Sequence, residues 1–139
     1  MELKKLSLLD LHAPIQNRIN ESTELQCLDD IPKNELPPFC YLEFVSTRPR
    51  NTKTMFIQEY VIHVHILSQP GSSVPHYKNI QAVDEALTEY VKLPEGYELW
   101  DQAESGLVSN YEEPETKTRH AVLAFIFKVS YGFKIKNLR

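Results

Sequence analysis

Two histidines stand two residues apart in the segment Tyr60-Val61-Ile62-His63-Val64-His65-Ile66-Leu67. On an extended strand that spacing puts both imidazoles on one face, and Glu59, four residues before His63, shares it. Two imidazoles and a carboxylate are ligand types for zinc or iron, so one reading is a small metal-dependent enzyme using His63, His65 and Glu59. No third strong ligand stands at a readable spacing, and the same pattern describes a half-solvated sheet face or a subunit interface bearing imidazoles. In an interface, protonation near pH 6 would load like charges together and give assembly a mild pH dependence. The expectation from sequence is no metal and no cofactor. His12, His76 and His120 are isolated in sequence and receive no role.

Other chemistry is poorly provided for. With four glycines the chain has neither a G-x-S-x-G elbow nor a glycine-rich phosphate loop. Asp101 with Glu104, or Glu112, Glu113 and Glu115, fall in expected solvated loops where nothing would raise a carboxyl pKa. No catalytic residue is assigned. Arg48, Arg50 and Lys53 form a basic cluster in one polar turn, Lys134, Lys136 and Arg139 form another near the end, and Glu112, Glu113 and Glu115 oppose them. Complementary charged tips on a self-associating protein would set register and orientation between neighbours; unrelated solvated turns are the alternative. Arg48, Arg50, Lys53, Glu59, His63 and His65 are therefore the candidate protein-contact residues.

The elements that must position these groups begin with a helix. Ser7-Leu8-Leu9-Asp10 has the capping-box form with Asp for Glu, and Leu8, Leu11, Ile15 and Ile19 recur at helical spacing. Pro14 is tolerated best in a first turn, which predicts a regular helix from about Asp10 to Asn20. A short extended piece, Glu24 to Pro32, precedes Pro37-Pro38, and a strand follows over Phe39 to Thr47, with Cys40, Leu42 and Phe44 on its core side. Thr47 to Thr54 reads as a hairpin tip. In the return strand Phe56, Tyr60, Ile62, Val64 and Ile66 share one parity, and Ile57, Glu59, Val61, His63, His65 and Leu67 share the other. Ser73 and Pro75 start a second helix with a stripe of Tyr77, Ile80, Val83 or Asp84, Leu87, and Tyr90 or Val91, ended by Pro94-Glu95-Gly96. Tyr97 to Trp100 and Leu107 to Tyr111 read as two strand pieces or one bulged strand, and a last strand spans about Thr118 to Phe133. The fold class is α+β: a mostly antiparallel four- to five-stranded sheet with two helices packed on one face.

At 139 residues, 42% hydrophobic and 24% charged, the chain is expected to be one domain, 1–139. A net charge of −4 disfavours general binding to nucleic acid or anionic membrane. The longest uncharged apolar runs, Tyr60 to Leu67 and Ala121 to Phe127, fall short of a membrane span. Cys27 and Cys40 form no metal or redox motif and read as small buried hydrophobes in a cytosolic protein. One face of the sheet, carrying Tyr41, Val45, Ile57, Val61, Leu67, Val122 and Ile126, is too apolar for a wall in water, and two helices cannot cover both faces. The reading is an oligomer or a large partner surface, with a monomeric ligand-binding domain as the alternative if that face lines a closed pocket.

The order of elements, the Leu28-Asp29-Asp30-Ile31-Pro32 link, the Pro37-Pro38-Phe39-Cys40-Tyr41-Leu42 run into a strand, the Tyr60 to Ser68 strand ending in serine and the His120-Ala121-Val122-Leu123-Ala124-Phe125 strand together resemble the tail-completion proteins of long-tailed bacteriophages and prophages, the tail-to-head joining and tail-terminator group. The resemblance spans nearly the whole chain and rests on order and spacing. It implies a non-enzymatic structural protein, a homo-oligomer forming a ring, usually a hexamer, at the head-proximal end of the tail. Its implied partners are the tail tube protein and the head connector proteins, with double-stranded DNA only passing through the lumen and no membrane. Its implied location is the host cytoplasm during assembly and then the virion. Pro14 departs from the uninterrupted first helix common in the group.

Overall fold

Ser7 Oγ accepts the Asp10 amide at 3.0 Å and so satisfies one of the free amides at the start of α1, Leu8–Ser22. The expected start at Asp10 is corrected: Pro14 lies in the helix interior. A proline there costs about 3 kcal/mol, but Leu11, Ile15 and Ile19 are each fully buried, and burying such a side chain gains about 1.5–3 kcal/mol. Cap and burial together outweigh the break.

The computed structural model describes residues 3–30 and 34–134. Ile31 and Pro32 of the link, and Lys136 and Arg139 of the terminal basic run, lie outside the described residues. After α1 come β1 (Cys27–Leu28), β2 (Phe39–Pro49), β3 (Met55–Ser68), α2 (Val74–Ala86), β4 (Glu98–Glu112) and β5 (Arg119–Phe133). They form a five-stranded sheet in the order β1-β2-β3-β5-β4, in which only β1 and β2 pair parallel. Both helices pack on one face, where Leu11, Ile15, Ile19, Val83 and Leu87 meet Cys40, Ile62, Val64, Ile66, Leu123, Phe125 and Phe127 in a single core. The α+β architecture is the expected one. No helix among the described residues is long and apolar enough to cross a membrane.

Cys27 and Cys40 are both buried and free, and they face each other in the β1–β2 register. Contact with Cys27 and burial push the Cys40 thiol up, which leaves it the small hydrophobe expected.

The second helix is shorter than expected; of the expected stripe Val83, Leu87 and Val91 lie in the core and Ile80 packs against it, while Tyr77 faces outward. His76, Val83 and Ala86 are its buried residues. It stops at Ala86 because side chains take the backbone groups beyond that point. Arg18 donates to the carbonyls of Ala86, Glu89 and Tyr90. Gln102 accepts from the Val91 amide and donates to the carbonyls of Leu87 and Glu89. These bonds satisfy a helix end without a glycine cap.

The segment from Tyr97 to Tyr111 resolves into the single irregular strand. Register shifts fall at Leu99/Asp101, Glu104/Gly106 and Leu107/Ser109, and Gly106 supplies a φ of 104° that other residues rarely adopt. Repeated bulges on an edge strand oppose simple extension of the sheet.

Candidate functional site

β3 is central, so its face away from the helices collects side chains from both sides. Pairing with β2 sets Glu43 against His63 and Tyr41 against His65. Pairing with β5 sets Ala124 against His63 and Val122 against His65, and it brings His120 beside Leu67. On the far side of β5, Tyr111 of β4 stands against His120. The small Ala124 and the neighbouring strands leave the imidazoles room to meet.

They meet in a chain. Glu43 Oε1 is 2.7 Å from His65 Nε2, His65 Nδ1 is 2.8 Å from His120 Nε2, and His120 Nδ1 is 2.8 Å from Glu113 Oε1. The Tyr111 hydroxyl lies 3.1 Å from His120 Nδ1. Tyr41 stacks flat on the His65 ring, centroids 4.6 Å apart. His63 Nδ1 approaches Glu43 Oε1 to 3.8 Å, and ligand atoms of Glu43, His63 and His65 all lie within 4.8 Å of one another.

This chain has a proton shortage. Its three successive contacts each need one hydrogen, because carboxylates and bare ring nitrogens only accept. Two neutral imidazoles bring one hydrogen apiece. If His120 Nδ1–H donates to Glu113 and His65 Nδ1–H donates to His120, the His65 Nε2 lone pair faces the Glu43 carboxylate. Reversing the tautomers moves the conflict to Glu113; the Tyr111 hydroxyl can then serve His120 Nδ1, but the carboxylate still meets a lone pair. An extra proton would close the chain. Burial, however, pushes the His65 imidazole below its ordinary range. Glu43 pulls it up through a hydrogen bond and its charge, without cancelling the effect of burial and the neighbouring His120 and His63.

The sequence pattern therefore paired the histidines with the wrong carboxylate. Glu59 lies four residues from His63, about 13 Å along a strand, and is occupied elsewhere: its carboxylate accepts from Arg48 Nε at 2.6 Å and from Arg50 Nε at 3.2 Å. Burial pushes the Glu59 carboxyl up, but the two guanidiniums outweigh it and hold the group below its ordinary value. The metal constellation of His63, His65 and Glu59 is not assembled. Lys53 stays exposed in the β2–β3 turn, while Arg48 and Arg50 each give Nε to Glu59 and keep about half or more of the side chain in solvent. At the other tip Glu113 serves His120, and Glu112 lies 3.7 Å from Arg119.

Two histidines without an expected role have one. His120 is the middle of the chain. His76 is fully buried, with Nδ1 2.7 Å from Ser68 Oγ and Nε2 3.1 Å from Asn110 Oδ1. A surface depression of about 700 Å³ lies between α1 and the end of α2 around Arg18, Glu85 and Glu89, where Arg18 is already committed to backbone carbonyls.

The apolar open face is narrower than the sequence implied. Ile57 and Val122 are buried against their neighbours, and Tyr41, Val61, Leu67 and Ile126 are half-buried. Val45 is 46% exposed.

A family model described as "Putative tail termination protein" matches residues 2–137. No curated protein matches the chain. Among solved structures, a chain of the virion of a native gene transfer agent particle shares this fold, with a TM-score of 0.64 and 14% identity over 84% of each chain.

Proposed function

The chain belongs to the tail termination protein family, and on that premise we propose that it is a ring-forming subunit at the head–tail interface of a long-tailed phage or prophage. A structural role in tail assembly rests on the family match over nearly the full length. That match also points to a protein without enzymatic activity.

The distribution of apolar surface supports the ring. Both helices cover one face, while Val45 at the β2 bulge and Trp100, Leu107, Val108 and Tyr111 along β4 remain about half exposed. Exposed apolar side chains along β4 suit packing against a neighbouring copy, side chain to side chain, in a closed, head-to-tail ring. Arg48, Arg50, Lys53, Glu59, His63 and His65 are proposed to lie in or near protein contacts, with the tail tube protein and the head connector as further partners. A net charge of −4 suits a lumen through which DNA passes without sticking. Such a subunit would assemble in the host cytoplasm and remain in the virion.

Light scattering after size exclusion tests this, with and without purified tail tube protein. The expected species is a ring near six times the 16.1 kDa chain mass, visible by electron microscopy, or a ring that forms on the tube. A chain that stays monomeric at high concentration and leaves the tube unbound sinks the reading.

A further inference from the structure

The Glu43 end of the histidine chain is built for a cation, and we propose that Glu43, His63 and His65 bind one divalent transition-metal ion of the zinc class. The ligands are Glu43 Oε1, His63 Nδ1 and His65 Nε2, the atoms that already converge. This goes beyond the tail-assembly reading and does not depend on it. It also departs from the sequence expectation of no metal.

Three observations carry it. First, the donor set is right: two neutral imidazoles and a carboxylate suit zinc and its neighbours in the first transition row, whereas magnesium and calcium take oxygen. Second, the geometry is close. A tetrahedral zinc with bonds of about 2.0–2.1 Å separates its ligand atoms by about 3.4 Å, and the three atoms here lie within 4.8 Å. Glu43 is half exposed and His63 has a quarter of its side chain in solvent, so Glu43 has room to draw back from 2.7 Å to His65 and His63 to close from 3.8 Å to Glu43. An adjoining depression of about 210 Å³, lined by Asp29, Asp30, Tyr41, Leu42, Glu43 and His65, leaves space for water in the remaining positions.

The third observation is the proton count. With His120 Nδ1–H on Glu113 and His65 Nδ1–H on His120 Nε2, the chain leaves one lone pair, His65 Nε2, aimed at Glu43. A metal ion between them takes the place of the missing hydrogen. The same arrangement, in which a ligating imidazole donates its other N–H to a partner, fixes tautomer and ring orientation at metal sites generally. His120 is thus a positioning residue, held in turn by Glu113 and Tyr111.

Titration calorimetry of the chelator-treated full-length protein with zinc chloride tests the proposal. The expected result is one saturable ion per chain. Glu43→Gln and His63→Ala should each weaken binding at least tenfold, with His65→Ala weakening it most. His120→Gln should cost about 10–100-fold, the range for outer-shell partners, and Glu115→Gln in the exposed turn should change nothing. Ring-nitrogen chemical shifts supply a second measurement: zinc should move Nε2 of His65 and Nδ1 of His63. Circular dichroism melts of the variants separate lost ligands from lost fold, and Glu43→Gln at an exposed side chain is the variant least exposed to that confusion. A weak multisite isotherm, or binding unaltered in both Glu43→Gln and His63→Ala, overturns the site.

Discussion

The two faces of this sheet treat buried polar groups differently. On the helix-covered face His76 and Gln102 are closed by neutral partners, while Gln58 Oε1 and His12 Nε2 are buried with no partner among the described residues. Both ring nitrogens of His76 are engaged, and Gln102 makes three bonds to the loop after α2. On the open face closure depends on charge, and it succeeds at one end only. Glu59 is buried but held by two guanidiniums, whereas half-exposed Glu43 ends a chain that has one hydrogen too few for its three contacts. Closed polar groups fix a fold; a group left one cation short is where something can bind.

The covered face should be the costlier to disturb. Gln102→Leu keeps the volume but strands the Val91 amide and the carbonyls of Leu87 and Glu89, and unsatisfied buried groups cost about 1–3 kcal/mol each. Because some regain water in the exposed loop, a loss of about 2–3 kcal/mol in urea unfolding is expected. A loss below 0.5 kcal/mol would show that the loop, not the glutamine, ends α2.

Next in size comes the closed end of the open face. The double variant Arg48→Ala with Arg50→Ala leaves Glu59 buried and alone. Both guanidiniums reach solvent, so the cost is set below that of a fully enclosed pair, at about 2 kcal/mol at pH 7. Its pH dependence has a definite sign. The Glu59 carboxyl is held below its ordinary value in the folded chain, so its stabilisation is present above the unfolded pKa near 4.5 and fades as pH falls through the folded pKa. The gap between wild type and double variant should therefore shrink on acidification below about pH 4.5. A gap that stays constant to pH 3 would mean the arginines act through packing alone.

How far the sequence reached follows the same division. Strand parity placed His63 and His65 on one face, Ile62 and Val64 on the other, and Cys40 on the core side, because alternation is a local property. The carboxylate is a property of register. Glu43 stood on the outward parity of the first long strand, and a hairpin folded about Lys53 carries it opposite His63, so a readable signal existed. Glu113, Tyr111 and His120 had none: they join the site through the β3–β5 pairing, which brings His120 to His65 across 55 residues. In the α2 stripe Tyr77 alone was misread, because a buried polar residue, His76, takes the inward position that an apolar count gives to it. Pro14 misplaced the start of α1 because the gain from three buried aliphatics is tertiary and invisible to a local rule.

The smallest effect is the sharpest test of the contrast between the two ends. Glu43→Gln replaces a carboxylate, which only accepts, by an amide that also donates. Its N–H can point at the His65 Nε2 lone pair while His65 Nδ1–H serves His120 and His120 Nδ1–H serves Glu113. The chain then closes with both imidazoles neutral. With metal removed, the variant should be as stable as wild type at pH 7.5, or up to about 0.5 kcal/mol more stable, since surface pairs of this kind contribute little. A destabilisation above about 1 kcal/mol would mean that a resident proton already closes the chain in the native protein. Glu43 would then be held as firmly as Glu59, and the contrast would fail.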